Sequence, residues 1–158
     1  MQKITTFLWF DGRAEEAMNF YTSVFKNSKI GSISRYGDSG PGPKGSVLVA
    51  TFEIEGQRFA ALNGGPHYKF TPAISFMVDC RTQAEVDELW AKLAVDGGQP
   101  VQCGWITDKF GVSWQIIPTI LSEMLQDKDP ARANRVMSAM LEMVKIDIAA
   151  LEQAYRGA

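Results

Sequence analysis

From Ile4 to Phe10 threonines and aromatic residues crowd together, which predicts a strand, and Asp11-Gly12 ends it with Asp11 placed to cap a helix. The apolar spacing then changes to three and four. Ala14, Ala17, Met18, Tyr21 and Phe25 fall on one helical stripe, and Asn27 is placed to close that helix in a left-handed conformation. A second strand is predicted through Ile30, Ile33 and Tyr36. Residues 37–45 are too rich in Gly and Pro for regular structure, so they predict either a plain hairpin loop or a flap over a site. Ser46 to Glu55 and Gln57 to Leu62 then predict a hairpin turning at Glu55-Gly56.

After Asn63-Gly64-Gly65-Pro66 the pattern starts again. Ala73 to Cys80 predicts a strand, Thr82-Gln83-Ala84-Glu85 is a capping box, and Val86, Leu89, Trp90 and Leu93 make the stripe of a helix ended by Gly97-Gly98. The run from Cys103 to Pro118 reads as strand, turn and strand, with Gly111 supplying a positive φ that Phe110 could not. Glu15 and Glu85, Phe20 and Trp90, and Phe10 and Cys80 each stand 70 residues apart; Gly56 and Gly111, Phe59 and Trp114, and Leu62 and Ile117 each stand 55 apart. The chain therefore reads as β-α-β-β-β twice, with extra residues in the Gly-Pro region of the first copy.

The fold class is α+β: two tandem β-α-β-β-β modules, about 1–65 and 72–118, forming a curved mixed sheet around a cavity, followed by a helical extension over 119–158. In that extension Ile120 to Gln126 starts one helix. Asp129 with Pro130 starts another, and Asp147 caps a third with Ile146 and Leu151 as a hydrophobic staple. These helices are expected on the outside of the sheets or on a partner subunit, with Met124, Met137, Met140 and Met143 as adaptable contacts.

Composition narrows the function classes. The chain has 158 residues, 46% of them hydrophobic, and a formal net charge of -2, which gives a real core and no basic surplus for nucleic acid or anionic membranes. The start of the chain lacks the apolar core of a signal peptide and no apolar run is long enough to span a bilayer, so a cytoplasmic protein is expected. Cys80 and Cys103 read as buried thiols, and His67 is the single histidine. One histidine removes most metal-site patterns and leaves any Ser-His or Cys-His scheme resting on it.

The duplicated modules, with Phe20-Tyr21 late in the first helix and the segments Ser75 to Cys80 and Cys103 to Pro118, resemble the vicinal oxygen chelate superfamily of glyoxalases, ring-cleaving dioxygenases and bleomycin-resistance proteins. Within it the chain resembles the PhnB-like group, some members of which carry the label demethylubiquinone methyltransferase. That label meets a physical objection, because Rossmann-like binding of S-adenosylmethionine needs a Gly-rich strand-to-helix turn and none is found. The resemblance implies a metal held by His, Gln or Glu on cavity-facing strands. It maps those positions onto Thr6, Phe76, Ala60 and Gln115, a set too poor in donors for a tight metal site, so neither metal nor cofactor is expected.

Alternation places Ser113, Gln115 and Ile117 on one face. With Gln115 facing the cavity, as the resemblance implies, Arg58 points inward too, to meet Glu53, Glu55 or an acidic ligand, and Trp105 is a candidate wall for a flat molecule. The expected ligand cavity is thus Thr6, Arg58, Ala60, Phe76, Trp105, Ser113 and Gln115. His67 and Gln115 are the weak catalytic candidates. The leading expectation is a homodimeric protein that binds a small organic molecule. The alternatives are a metal-dependent lyase or isomerase of the glyoxalase type, and a structural or regulatory dimer with a vestigial cavity.

Overall fold

The computed structural model describes residues 2–157 and divides into two compact units, one up to Phe70 and one from Thr71. In the first unit β1 (Thr6–Phe10) is followed by α1 (Ala14–Val24), β2 (Ser28–Arg35), β3 (Val47–Ile54) and β4 (Gln57–Asn63). The sheet order is β1-β4-β3-β2, with β1 parallel to β4 and the other pairs antiparallel. The two-residue turn after β3 uses Glu55 at φ 50° and Gly56 at φ 78°, the doubly positive geometry that matches strand twist. One face of this sheet packs on α1: Tyr21 is fully buried and stacks on Phe52, which stacks on Phe59. Burial of each such ring contributes on the order of 1.5–3 kcal/mol.

The entry to α1 differs from the expectation. Asp11 does not cap it; Arg13 occupies the cap position, where its side chain makes no capping bond, and the Ala14 N–H donates instead to Asn63 Oδ1 at 2.9 Å. The helix also ends differently, because Phe25 leaves it in an extended conformation and Asn27 is not left-handed. Asn27 serves the hairpin instead: its Nδ2 donates to Glu55 Oε2 and its carbonyl accepts from Glu55 N.

The second unit repeats the plan with β5 (Ser75–Cys80), α2 (Gln83–Leu93), β6 (Gln99–Pro100), β7 (Trp105–Thr107) and β8 (Ser113–Pro118), in the order β5-β8-β7-β6. Thr82 Oγ1 accepts from Glu85 N, and the Glu85 carboxylate accepts from Arg81 N, so the expected box closes one residue early. Gly111 has φ 93°, as its turn requires. Asp108 locks that turn from inside: it is 3% exposed and accepts from Phe110 N, Val112 N and Trp114 Nε1.

The duplication holds at the level of strand register. Thr6↔Phe59, Phe7↔Ala60 and Leu8↔Ala61 in the first sheet correspond to Phe76↔Trp114, Met77↔Gln115 and Val78↔Ile116 in the second, with the same offsets of 70 and 55 residues. The tail forms α3 (Thr119–Leu125), α4 (Pro130–Leu141) and α5 (Ile148–Arg156) within the second unit. Its helices share one core with the end of β8, in which Ile117, Leu121, Val136, the staple pair Ile146 and Leu151, and Met124 are buried together. Asp129 and Asp147 cap α4 and α5 as expected.

Candidate functional site

Strand alternation and the α2 contacts separate the two faces of the second sheet. Trp114, Ile116 and Cys80 belong to the face that α2 covers, together with Ile106. Burial pushes the Cys80 thiol up to about 12, helped by the charges of Glu85 and Asp79, so it is inert at neutral pH. Cys103 is half-buried and both thiols are free.

The opposite face carries two rows of side chains across three strands. Trp105, Gln115 and Met77 stand side by side on β7, β8 and β5, and Thr107, Ser113 and Ser75 form the next row. Gln115 is held from the adjacent row: Nε2 donates to Ser75 Oγ at 2.9 Å, which orients Oε1 as an acceptor. Ser113 is 2% exposed, and its Oγ has no hydrogen-bond partner among the described residues. A buried hydroxyl without a partner is costly, by about 1–3 kcal/mol, unless something outside the chain satisfies it.

The sequence mapping was displaced by one residue on the first strand of each module. Thr6 pairs with Phe59 and shares the α1-covered face with Leu8 and Phe10, while Ala60 stands on the other face beside Phe7. Phe76 likewise pairs with Trp114, their rings 5.4 Å apart, on the face away from Gln115. The cause is the turn between strand and helix: counting back from Phe20 cannot see how many residues Asp11-Gly12-Arg13 consume. Phe7 and Met77 are the residues beside Ala60 and Gln115. Met77, Ser75 and Thr107 were missed for the same reason, although alternation from Gln115 combined with the pairing register finds them.

Arg58 shares a face with Ala60 and is exposed. The expected ion pair with Glu53 is not made; Glu53 lies across from Arg58, but its carboxylate pairs with Lys29 Nζ at 2.8 Å, and Glu55 accepts from Asn27. His67 is exposed and lines a cavity of about 530 Å³ within the first unit. His67 belongs to the first unit and Gln115 to the second. The Gly-Pro loop walls the same cavity.

A divalent metal of the kind the resemblance implies needs lone pairs that these positions do not offer. The pairs Phe7/Ala60 and Met77/Gln115 supply one thioether and one amide oxygen, and among the described residues no three His, Cys, Asp or Glu side chains come together.

Residues 2–117 match the family described as 3-demethylubiquinone-9 3-methyltransferase. The chain belongs to that family. A PhnB protein from Bacillus cereus is 48% identical with a TM-score of 0.66, and the match covers 75% of this chain and 100% of that one. The PhnB-like resemblance read from the sequence is the one found. A protein from Pseudomonas aeruginosa, 21% identical with a TM-score of 0.62 over 75% of this chain and 98% of that one, shares the fold. No match is found among curated proteins. The family match stops just before Pro118, so the α3–α5 tail is an addition to what the family model describes.

Proposed function

We infer that this family member binds a small, flat, hydroxylated organic molecule on the face of the second sheet turned away from α2, without a catalytic metal. The observation that carries the reading is the pairing of an oriented acceptor with an orphan hydroxyl. Gln115 Oε1 is presented by Ser75, and the unpartnered Ser113 Oγ lies in the adjacent row. Trp105 and Met77 flank Gln115 and supply apolar surface for a ring. A phenolic hydroxyl donates to Gln115 Oε1, and accepts from Ser113 Oγ once the side chains that cover this buried hydroxyl move aside.

The family description names a ring of this class, a demethylated ubiquinone, which agrees with the chemistry of the row. Methyl transfer is a different matter. The turns Asp11-Gly12-Arg13 and Arg81-Thr82 that lead from strand to helix hold one glycine between them, so neither builds the Gly-rich loop that Rossmann-like binding of S-adenosylmethionine uses. The reading is therefore binding of the ring without methyl transfer by that route.

Titration calorimetry with 2-methoxyphenol tests this. The expected result is saturable binding that a chelator leaves unchanged and that Gln115→Ala weakens about tenfold, the loss of one good hydrogen bond. Equal affinity in Gln115→Ala, or affinity lost on chelation and restored by a divalent cation, contradicts it.

A further inference from the structure

The first unit holds a cavity with a chemistry of its own. Three stretches wall it: the turn from β1 into α1, the Gly-Pro loop between β2 and β3, and the segment after β4. They are tied together by two residues. Tyr36 Oη donates to the Asn63 carbonyl at 2.6 Å, while the Asn63 side chain accepts from Ala14 N and donates to the Val47 carbonyl at 3.1 Å. The loop is folded down on Tyr36 closely enough that a Cβ on Gly42 would sit 2.2 Å from the ring, and Ser46 bonds back to Pro43 through both its N–H and its hydroxyl. At about 530 Å³ the space is of the size that small-molecule pockets have.

Its lining divides by chemistry. Tyr36, Pro41, Pro43 and Val47 give an apolar wall, and Asp11 and Glu15 bring two carboxylates; among the described residues His67 lines it but no Lys or Arg does. Neither carboxylate is in an ion pair with a described residue. Of the cations near these stretches, Arg13 is engaged with Glu16 at 2.8 Å, Lys44 with Asp38 at 2.8 Å, and Arg35 donates to the Gly45 carbonyl, while Lys69, two residues beyond His67, is not part of the lining. The negative charge of the lining is therefore left for a ligand to meet.

We propose that this cavity is a second binding site, for a small organic cation with an apolar body, such as an aryl or alkyl amine. The apolar part lies against Tyr36 and the prolines while the charged nitrogen faces Asp11 and Glu15.

The test is an amide NMR titration of the full chain with benzyltrimethylammonium, with benzyl alcohol as the uncharged control. The cation is expected to shift the amides of Gly12, Gly42, Gly64 and Gly65, and Asp11→Asn with Glu15→Gln to weaken it about tenfold, as loss of paired charge at a partly exposed site allows. Benzyl alcohol leaves those amides in place. The proposal fails if the cation does not move them at millimolar concentration, if benzyl alcohol moves them equally, or if the double variant binds as the parent does. Both substitutions are isosteric and exposed; should the pair disturb the fold, Glu15→Gln alone gives the same reading.

Discussion

At the scale of single residues, the first unit depends on Asn63 more than its place in an Asn-Gly-Gly turn suggests. Its side chain caps α1 from 49 positions away and holds the start of β3, and its carbonyl receives Tyr36 Oη. Asn63→Ala leaves the Ala14 N–H and the Val47 carbonyl without partners, and about 1–3 kcal/mol of stability is expected to go with them in urea denaturation. Asp11→Ala, at the position that looks like the cap, is expected to cost under about 0.5 kcal/mol in the same measurement. The sequence shows the strand, the break and the helix here but not the cap. A side chain arriving from a distant strand leaves no local pattern, and Asp11 was the better local candidate.

The tail is where whole elements decide the outcome. Tyr155 on α5 donates to Asp127 Oδ2, which ties α5 to the residues just before α4. That bond holds the Asp127 carboxyl below the usual carboxylate range, assisted by the Asp129 N–H, and holds the Tyr155 phenol above its ordinary value. The signs of the two effects are opposite. Asp127 contributes stability that is present above about pH 4 and is lost as the pH falls through its lowered value; Tyr155 contributes stability that is present below about pH 10 and is lost as the pH rises through its raised value. Tyr155→Phe is therefore expected to lower stability at neutral pH and to flatten the alkaline limb and part of the acid limb of a stability–pH profile.

The same elements bear on the role expected of the tail. Ile117 of β8 is part of the α3–α5 core, and Gln83 of α2 donates to the Ile146 carbonyl and accepts from Ile148 N. Truncation after Pro118 exposes Ile117 and removes the two partners that Gln83 has in the tail. The expected result is loss of cooperative unfolding in the second unit, seen by circular dichroism, before any change of association state can be read. A truncated chain that melts as sharply as the parent contradicts this packing. Capping residues, the staple and the apolar stripes of these helices were all legible in the sequence. Their destination was not, because an apolar stripe fits the chain's own sheet and a partner's surface equally well.

Across the whole molecule, the repeat was the most legible feature, and it was also the source of the main error. Offsets of 70 and 55 residues recur in the pairing registers of both sheets, and the fold followed from them. The same offsets carried a one-residue slip from Thr6 to Phe76, since a shift in one copy is reproduced in the other, and a slip of one turns every side chain to the opposite face. Gln115 escaped it because its position was fixed by its own hairpin. The row it leads, Trp105, Gln115 and Met77 above Thr107, Ser113 and Ser75, needed the pairing between strands to be seen. The side-chain amide resonances of Gln115 and the indole resonance of Trp105, followed by NMR as 2-methoxyphenol is added, test that row most directly. The account predicts that both move together and saturate, and that the Gln115 amide no longer reports the bond to Ser75 in Ser75→Ala. Binding that leaves both resonances unmoved would contradict it.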